Sequence, residues 1–389
     1  MRLREGKATR LTLTVLAVLA VICFALVEES KVEVKHSHYK EMSAALGLMK
    51  TGLERLREQR SALKLPPMAE DPFGLLGKED TRITTDKGDQ GSKLISENPL
   101  MAAVMVDLLM KAHVGRDDIV AVGCTGSFPG ANLATYAACK AIGARVIVVT
   151  SLGASTWGAN DPQFTWLDME RHLAATTPIR FRSAAASYGG GKDRGLGLSQ
   201  AGIEDLRKAA ERNHVPLLVE KTLEDQIRRR MEIYQKEAGG KPIKAYVNIG
   251  GGVASLGARV NALKHLKNGL NLELKPANYP VRGVAIQFGT ANPPVPVLHI
   301  LEMRKIAEAY HLPVSLWGKP PEELIVEEKI LFETRYNLGV TILATILLAG
   351  VSFVLIRIDL KILARARPLS PAEIAVIDRD TSRIPKPGA

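Results

Sequence analysis

Cysteine is almost absent, with three in 389 residues. Cys23 falls in an apolar run near the N-terminus, leaving Cys124 and Cys139 for the rest of the chain. Cys124 precedes a helix expected from Ala131 to Ile142, and Cys139 lies well inside it. A helix rises ~1.5 Å per residue, so the pair sits ~15 Å apart along the axis. A disulfide needs Cα atoms within about 7 Å, so both thiols are expected free. Zinc spacing is missing too: His36 and His38 stand without further Cys or His at ligand distance, and neither a metal nor a cofactor is expected. There is no nucleotide-binding P-loop. The glycine triplet Gly189-Gly190-Gly191 is followed by Lys192 and then Asp193, where that loop requires Ser or Thr after the lysine. Internal repeats, low-complexity tracts and nucleic-acid motifs are absent, so no nucleic-acid partner is expected.

Charge is missing from two long stretches. Leu11–Val27 has no charged residue, and neither does the 21-residue run Tyr336–Ile356. About 20 apolar residues cross the hydrocarbon core, with ~17 the short limit. The first run is not followed by a small-x-small cleavage site, since the junction reads Phe24-Ala25-Leu26-Val27-Glu28. It therefore reads as an uncleaved anchor rather than a signal peptide. Basic residues flank both runs on the outer side: Arg2, Arg4, Lys7 and Arg10 before the first, and Arg357, Lys361, Arg365 and Arg367 after the second. Such flanks stay in the cytoplasm. The expected layout is a cytoplasmic N-terminus (1–10), a membrane helix (11–27), and a stalk helix with loops (28–97). An extracytoplasmic domain (98–335), a second membrane helix (336–356) and a disordered cytoplasmic tail (357–389) follow. Of the net charge of +11, residues 1–10 carry four bases and one acid, and residues 357–389 seven and four, which leaves +5 for the segment between. That excess favours an anionic ligand without requiring one.

Within 36–63, Met42, Leu46, Met49, Leu53 and Leu56 recur at helical spacing, the pattern of a stalk or packing helix. Residues 64–97 read mostly as loop. An α/β rhythm follows. Helices are expected at Pro99–His113, Ala131–Ile142, Gln200–Asn213 and Thr222–Ala238. Strands are expected at Asp118–Gly123, Arg145–Thr150, Ile179–Ser187, Leu217–Val219 and Ala245–Ile249, with weaker candidates at Val284–Ile286 and Val314–Leu316. Short all-apolar strands alternating with helices imply a mostly parallel, Rossmann-like sheet covered on both faces.

In such a sheet ligands bind where strands end. The first loop there is Gly123-Cys124-Thr125-Gly126-Ser127-Phe128-Pro129-Gly130, with Asn132 just beyond. Pro129 suits a first helical turn, and the free amides there favour an anion. Ser127 reads three ways: an anion contact, a helix cap, or a nucleophile. It is not in a Gly-x-Ser-x-Gly elbow, and His172 is the nearest candidate base in sequence. The second loop runs from Ser151 to Glu170. It holds two of the three tryptophans, Trp157 and Trp166, together with Ser155, Asn160, Asp161 and Asp168. Aromatics mixed with short polar side chains suit ligand binding, though Asp168 and Glu170 also suit a helix dipole and Asp161 a turn. Two glycine loops complete the set: Gly189–Gly195, whose Lys192 and Arg194 would clamp an anion, and Gly250-Gly251-Gly252 after a strong strand.

The runs Val122–Pro129, Ser151–Asn160 and Thr165–Glu170, with Thr84-Thr85, Asn98-Pro99 and Asn248–Gly251, resemble the bacterial poly-gamma-glutamate system protein family. The two-span layout is similar as well. Members accompany the membrane synthase of poly-γ-glutamate, whose ATP-dependent ligase is a separate protein, and no catalytic residues carry over. The resemblance implies an accessory subunit of synthesis, export or surface retention of this capsule-type polymer. Its expected partners are the cytoplasmic membrane, membrane-bound synthase subunits and anionic polyglutamate. The alternative is an extracytoplasmic serine-dependent hydrolase or transferase acting on γ-glutamyl amide bonds through Ser127.

Overall fold

Apolar runs bounded by glycine, proline and short polar side chains become buried strands, and amphipathic segments become the helices that cover them. A computed structural model describes residues 9–65, 71, 73–257, 265–275, 280–312 and 328–365. In chain order the helices are α1 (Arg10–Glu29), α2 (Tyr39–Ala62), α3 (Gln90–Glu97), α4 (Leu100–Lys111), α5 (Pro129–Ile142), α6 (Trp166–Thr176), α7 (Gln200–Arg212) and α8 (Leu223–Ala238). Among the described residues, a four-residue helix at Val253–Leu256 is followed by α9 (Val284–Gly289), α10 (Met303–Ala309) and α11 (Leu338–Arg365). The main sheet contains β1 (Ile119–Thr125), β2 (Arg145–Ser151), β3 (Ser183–Ser187), β4 (Leu217–Leu218), β5 (Ile243–Ile249), β6 (Gly269–Asn271) and β7 (Val297–Ile300).

Two compact units result, one of residues 1–34 and 333–389 and the other running from Lys35 to Phe332. In the first, α1 and α11 are both long and apolar enough to cross a membrane by length and composition. They pack against each other as an antiparallel pair. The Thr9 amide donates to Asp359 Oδ2 at 2.8 Å near one end, and the Tyr336 hydroxyl to Glu28 Oε1 at 2.9 Å near the other. The second helix runs past Ile356 to Arg365, so the expected tail begins as helix, and its remainder lies outside the described residues.

The second unit is the α/β fold that the strand pattern implies. Its seven-stranded sheet has the order β6-β7-β5-β1-β2-β3-β4 and is parallel except where β6 meets β7. Every residue of β1 is buried. Alternate side chains enter two cores. Val120, Val122 and Cys124 pack with residues of α2, α4 and α5, while Ile119 and Ala121 pack with Ile227 and Tyr234 of α8. All three cysteines are free.

Three segments depart from the expected layout. The helix read as a stalk or packing helix, α2, packs within the globular unit and is no stalk: Met42, Met49 and Leu56 are among its most deeply buried side chains. Gly52 lets α2 approach α5, because a Cβ there would lie 2.8 Å from Leu133 Cδ1. The stretch read as loop contains α3, capped by Asp89, whose carboxylate accepts from the Ser92 amide at 2.8 Å. Val284–Ile286, read as a weak strand, opens the helix α9. Short apolar runs do not separate helix from strand by periodicity alone. The weak candidate Val314–Leu316 lies outside the described residues. Strands β6 and β7 were not anticipated.

Because Met49 and Leu56 are core residues, Met49→Ala and Leu56→Ala are each expected to cost about 2–5 kcal/mol, measured by urea unfolding of the detergent-solubilised chain. A loss below ~0.5 kcal/mol, normal for a surface substitution, would return α2 to the role of a stalk.

Candidate functional site

The sheet order creates one topological switch point. From β1 the chain winds outward through β2, β3 and β4, then returns to place β5 on the other side of β1. The connections therefore diverge at the C-terminal ends of β1 and β5, where open α/β sheets bind ligands. A cavity of about 770 Å³ opens at this edge, bordered by the loops after β1, β2, β3 and β5 and by the segment leading into α3.

Lys93 of α3 is its most unusual lining residue. The side chain is fully buried. Its Nζ donates to the Ser127 carbonyl oxygen and lies 2.6 Å from Ser155 Oγ. It also sits 4.1 Å from the centroid of the Phe128 ring, a cation–π distance. Among the described residues it makes no ion pair. Burial lowers its pKa from the usual 10.5 to about 7, with Asp89, four residues earlier at the start of the same helix, opposing.

Ser127 and Ser155 are joined directly, as the Ser155 amide donates to Ser127 Oγ at 3.0 Å. Ser155 sits in a short strand, Ala154–Ser155, parallel to Thr84–Asp86. The Gly88 amide donates to Thr156 Oγ1 at 2.7 Å, tying the same two segments together. Thr125 lines the cavity at the end of β1, and among the described residues its buried hydroxyl has no hydrogen-bond partner. Gly250 approaches it with φ +86°, and a Cβ there would stand 2.6 Å from Thr125 Oγ1. Gly251 and Gly252 also line the cavity.

Ser151 lines the cavity through a closed polar network. It donates to Asp193 Oδ1 at 2.8 Å, as does Ser187. Arg230 of α8 pairs with Asp193 Oδ2 at 2.7 Å and donates to both serines. The network fixes the glycine loop after β3 to the sheet. At the rim, Arg304 lies 3.6 Å from Asp89, and Lys305 pairs with Glu302. Arg304 and Lys305 thus have acidic neighbours, Lys87 is an exposed lysine of the same rim, and Lys93 is the buried cation of the lining.

Of the residues expected from sequence, Thr125, Ser127, Ser151, Ser155, Gly251 and Gly252 converge on the cavity, with Gly250 shaping it. The others serve the fold. Gly126 donates to the Ser151 carbonyl and accepts from Ala159. Asn132 donates to the Thr125 carbonyl at 2.9 Å. Trp157, at φ +57°, donates its amide to the Lys78 carbonyl. Asn160 clamps Lys78 through both its backbone N–H and carbonyl. Asp161 caps a turn at Gln163. Trp166, Tyr136 and Ser183 all donate to Glu170 Oε1 in a buried cluster, where burial pushes the Glu170 carboxyl upward. Asp168 closes the start of α6 and binds Arg212 and Asn213. Lys192 is exposed and outside the cavity lining, and Arg194 donates to the Lys221 carbonyl. These two do not form the anion clamp that their spacing suggested. His172 lies on α6, also outside the lining. Lys93, Asp193 and Arg230 were missed as site residues. The one available signal was Asp89 three residues before Ser92, a helix start that would have placed Lys93 inside α3.

Compared with family models, curated proteins and solved structures, the chain matches none.

The low Lys93 pKa fixes the sign of a pH effect. Between pH ~7 and ~10 the unfolded chain binds the extra proton, so stability rises with pH across that window. Lys93→Met removes this slope. Its unfolding free energy relative to wild type should be most favourable at or below pH 7 and decline towards pH 10, and a pH-independent difference would contradict a lysine buried in the neutral form. Asp193→Asn strands the Arg230 charge and is expected to cost about 3–5 kcal/mol. Urea unfolding checks this, and a loss under ~1 kcal/mol would mean that the network does not hold the loop.

Proposed function

We propose that this chain is a two-pass membrane protein with both termini in the cytoplasm and its α/β unit outside. In this reading it is an accessory subunit of poly-γ-glutamate synthesis, export or surface retention, working beside membrane-bound synthase subunits. Its cavity takes hold of the polymer through one γ-glutamyl unit at a time.

The observation that carries this reading is Lys93, a buried amine in a ligand-sized cavity whose close contacts are a backbone carbonyl and a serine hydroxyl and not a carboxylate. A buried charge without a partner is costly, and an incoming carboxylate would supply the partner. The unpartnered Thr125 hydroxyl and the bare backbone of Gly251 and Gly252 add polar contacts for an amide-linked unit. The rim mixes acidic with basic side chains, Asp86, Asp89 and Glu302 with Lys87, Arg304 and Lys305, which favours recognition of one unit over a long basic track. The antiparallel pairing of α1 and α11 supports termini on one side, and the basic flanks support the cytoplasmic side. The runs resembling the poly-gamma-glutamate system protein family supply the polymer's identity.

A second reading is a serine-dependent hydrolase or transferase of γ-glutamyl amide bonds. The 2.6 Å contact between Lys93 and Ser155 favours it.

The detergent-solubilised full chain should bind labelled poly-γ-glutamate at low salt, more weakly at high salt, with Lys93→Met weakening binding on the order of tenfold or more. Lys192→Ala and Arg194→Ala should leave affinity unchanged. Fluorescence anisotropy reads all four. Absence of binding at low salt, or wild-type affinity in Lys93→Met, would overturn the reading.

A further inference from the structure

We infer that Ser155 and Lys93 form a nucleophile–base pair that cleaves or transfers an amide bond of a carboxylate-bearing substrate, with Ser127 positioning Ser155 and donating to the substrate carbonyl. This rests on the second reading above and moves the reactive serine from Ser127 to Ser155.

Geometry makes the choice between the two serines. Lys93 reaches the hydroxyl of Ser155 at 2.6 Å, but it reaches Ser127 through the backbone carbonyl. A neutral amine has two N–H donors and one lone pair. With one N–H given to the Ser127 carbonyl, rotation of the neutral amine brings its lone pair to the 2.6 Å contact, where it can accept from Ser155 O–H in place of donating to it. Burial keeps a large fraction of that amine neutral near pH 7, as a general base requires. Ser155 is also held firmly, through its amide to Ser127 Oγ at 3.0 Å and through the strand pairing with Thr84–Asp86. Ser127 uses an oxygen lone pair for that contact, which leaves its own O–H for a substrate carbonyl. Both serines line the cavity.

The chemistry balances with water as the only co-reactant. Lys93 takes the Ser155 proton as Oγ bonds the carbonyl carbon, giving a tetrahedral oxyanion that accepts from Ser127 O–H. The intermediate collapses, the C–N bond breaks, and Lys93 returns the proton to the departing amine. Solvent water, deprotonated by Lys93, then attacks the Ser155 ester. The acid leaves, and the proton goes back to Ser155. An acceptor amine in place of water would give transfer instead.

The test uses the detergent-solubilised full chain, a fluorophosphonate probe, γ-glutamyl-p-nitroanilide and poly-γ-glutamate. Mass spectrometry should place the phosphonyl adduct on Ser155, with labelling faster as pH rises through about 7. Ser155→Ala should lose at least ~10³-fold in anilide cleavage while unfolding in urea as wild type does, and Ser127→Ala should retain the Ser155 adduct at a reduced rate. A folded wild type that binds polymer but shows neither adduct nor cleavage overturns the pair and leaves the binding reading intact. Cleavage of the anilide without polymer binding overturns the polymer reading and leaves the pair. Cleavage undiminished in Ser155→Ala overturns the assignment of the nucleophile, whatever the fate of Lys93→Met.

Discussion

A strand with no face in water is the constraint behind this fold. All seven residues of β1 are buried, hydrogen-bonded to β5 on one side and β2 on the other. Its side chains alternate between two cores, so helices must cover both. That forces long crossovers, and the crossovers leave their loops at one edge. Because the chain leaves β1 in one direction and comes back beside it at β5, the loops part there. The cavity follows from that parting, and the residues able to line it are those that follow the central strands.

This is why the cavity's position could be read in the sequence and most of its chemistry could not. Runs such as Arg145–Thr150 and Ala245–Ile249 announce buried strands, and glycine or serine after each marks the edge. Strand β7 hid because Val297–Ile300 is only four residues long and carries His299, which bonds Asn248 in the interior. Lys93 hid because α3 is eight residues of mixed polarity in a segment rich in Gly, Asp and Thr. Its contacts with Ser127 and Ser155 span 34 and 62 positions, and no local pattern reports a pairing of that range.

The expected site residues that lie outside the cavity make the complementary point. Trp166, Glu170 and Tyr136 form a buried hydrogen-bonded cluster, and Asn160 replaces missing backbone pairing around Lys78. A loop that crosses the top of a sheet must satisfy its own amides and carbonyls. Asn, Asp, Ser and Trp do this with the side chains that would also suit a ligand. Composition therefore marks the loop as ordered, and only the three-dimensional partners separate Asn160, which is saturated, from Thr125, whose hydroxyl is left over.

Lys93 ties these strands together. Lowering its pKa from 10.5 to about 7 corresponds to roughly 5 kcal/mol against holding it charged in the fold. A methionine would fill similar space without that cost, so the amine's place in the cavity calls for a chemical reason. Near neutral pH it stands between two forms, and a ligand bound there would decide between them. An amide carries no charge and leaves the amine free to accept the Ser155 proton. A carboxylate brought to the same place favours the ammonium, which no longer has a lone pair. On that chemistry the substrate meets a base and the acid product meets a counter-ion. If both proposals hold, one buried side chain would promote cleavage and hold its product, and the binding and catalytic readings would be two protonation states of a single site.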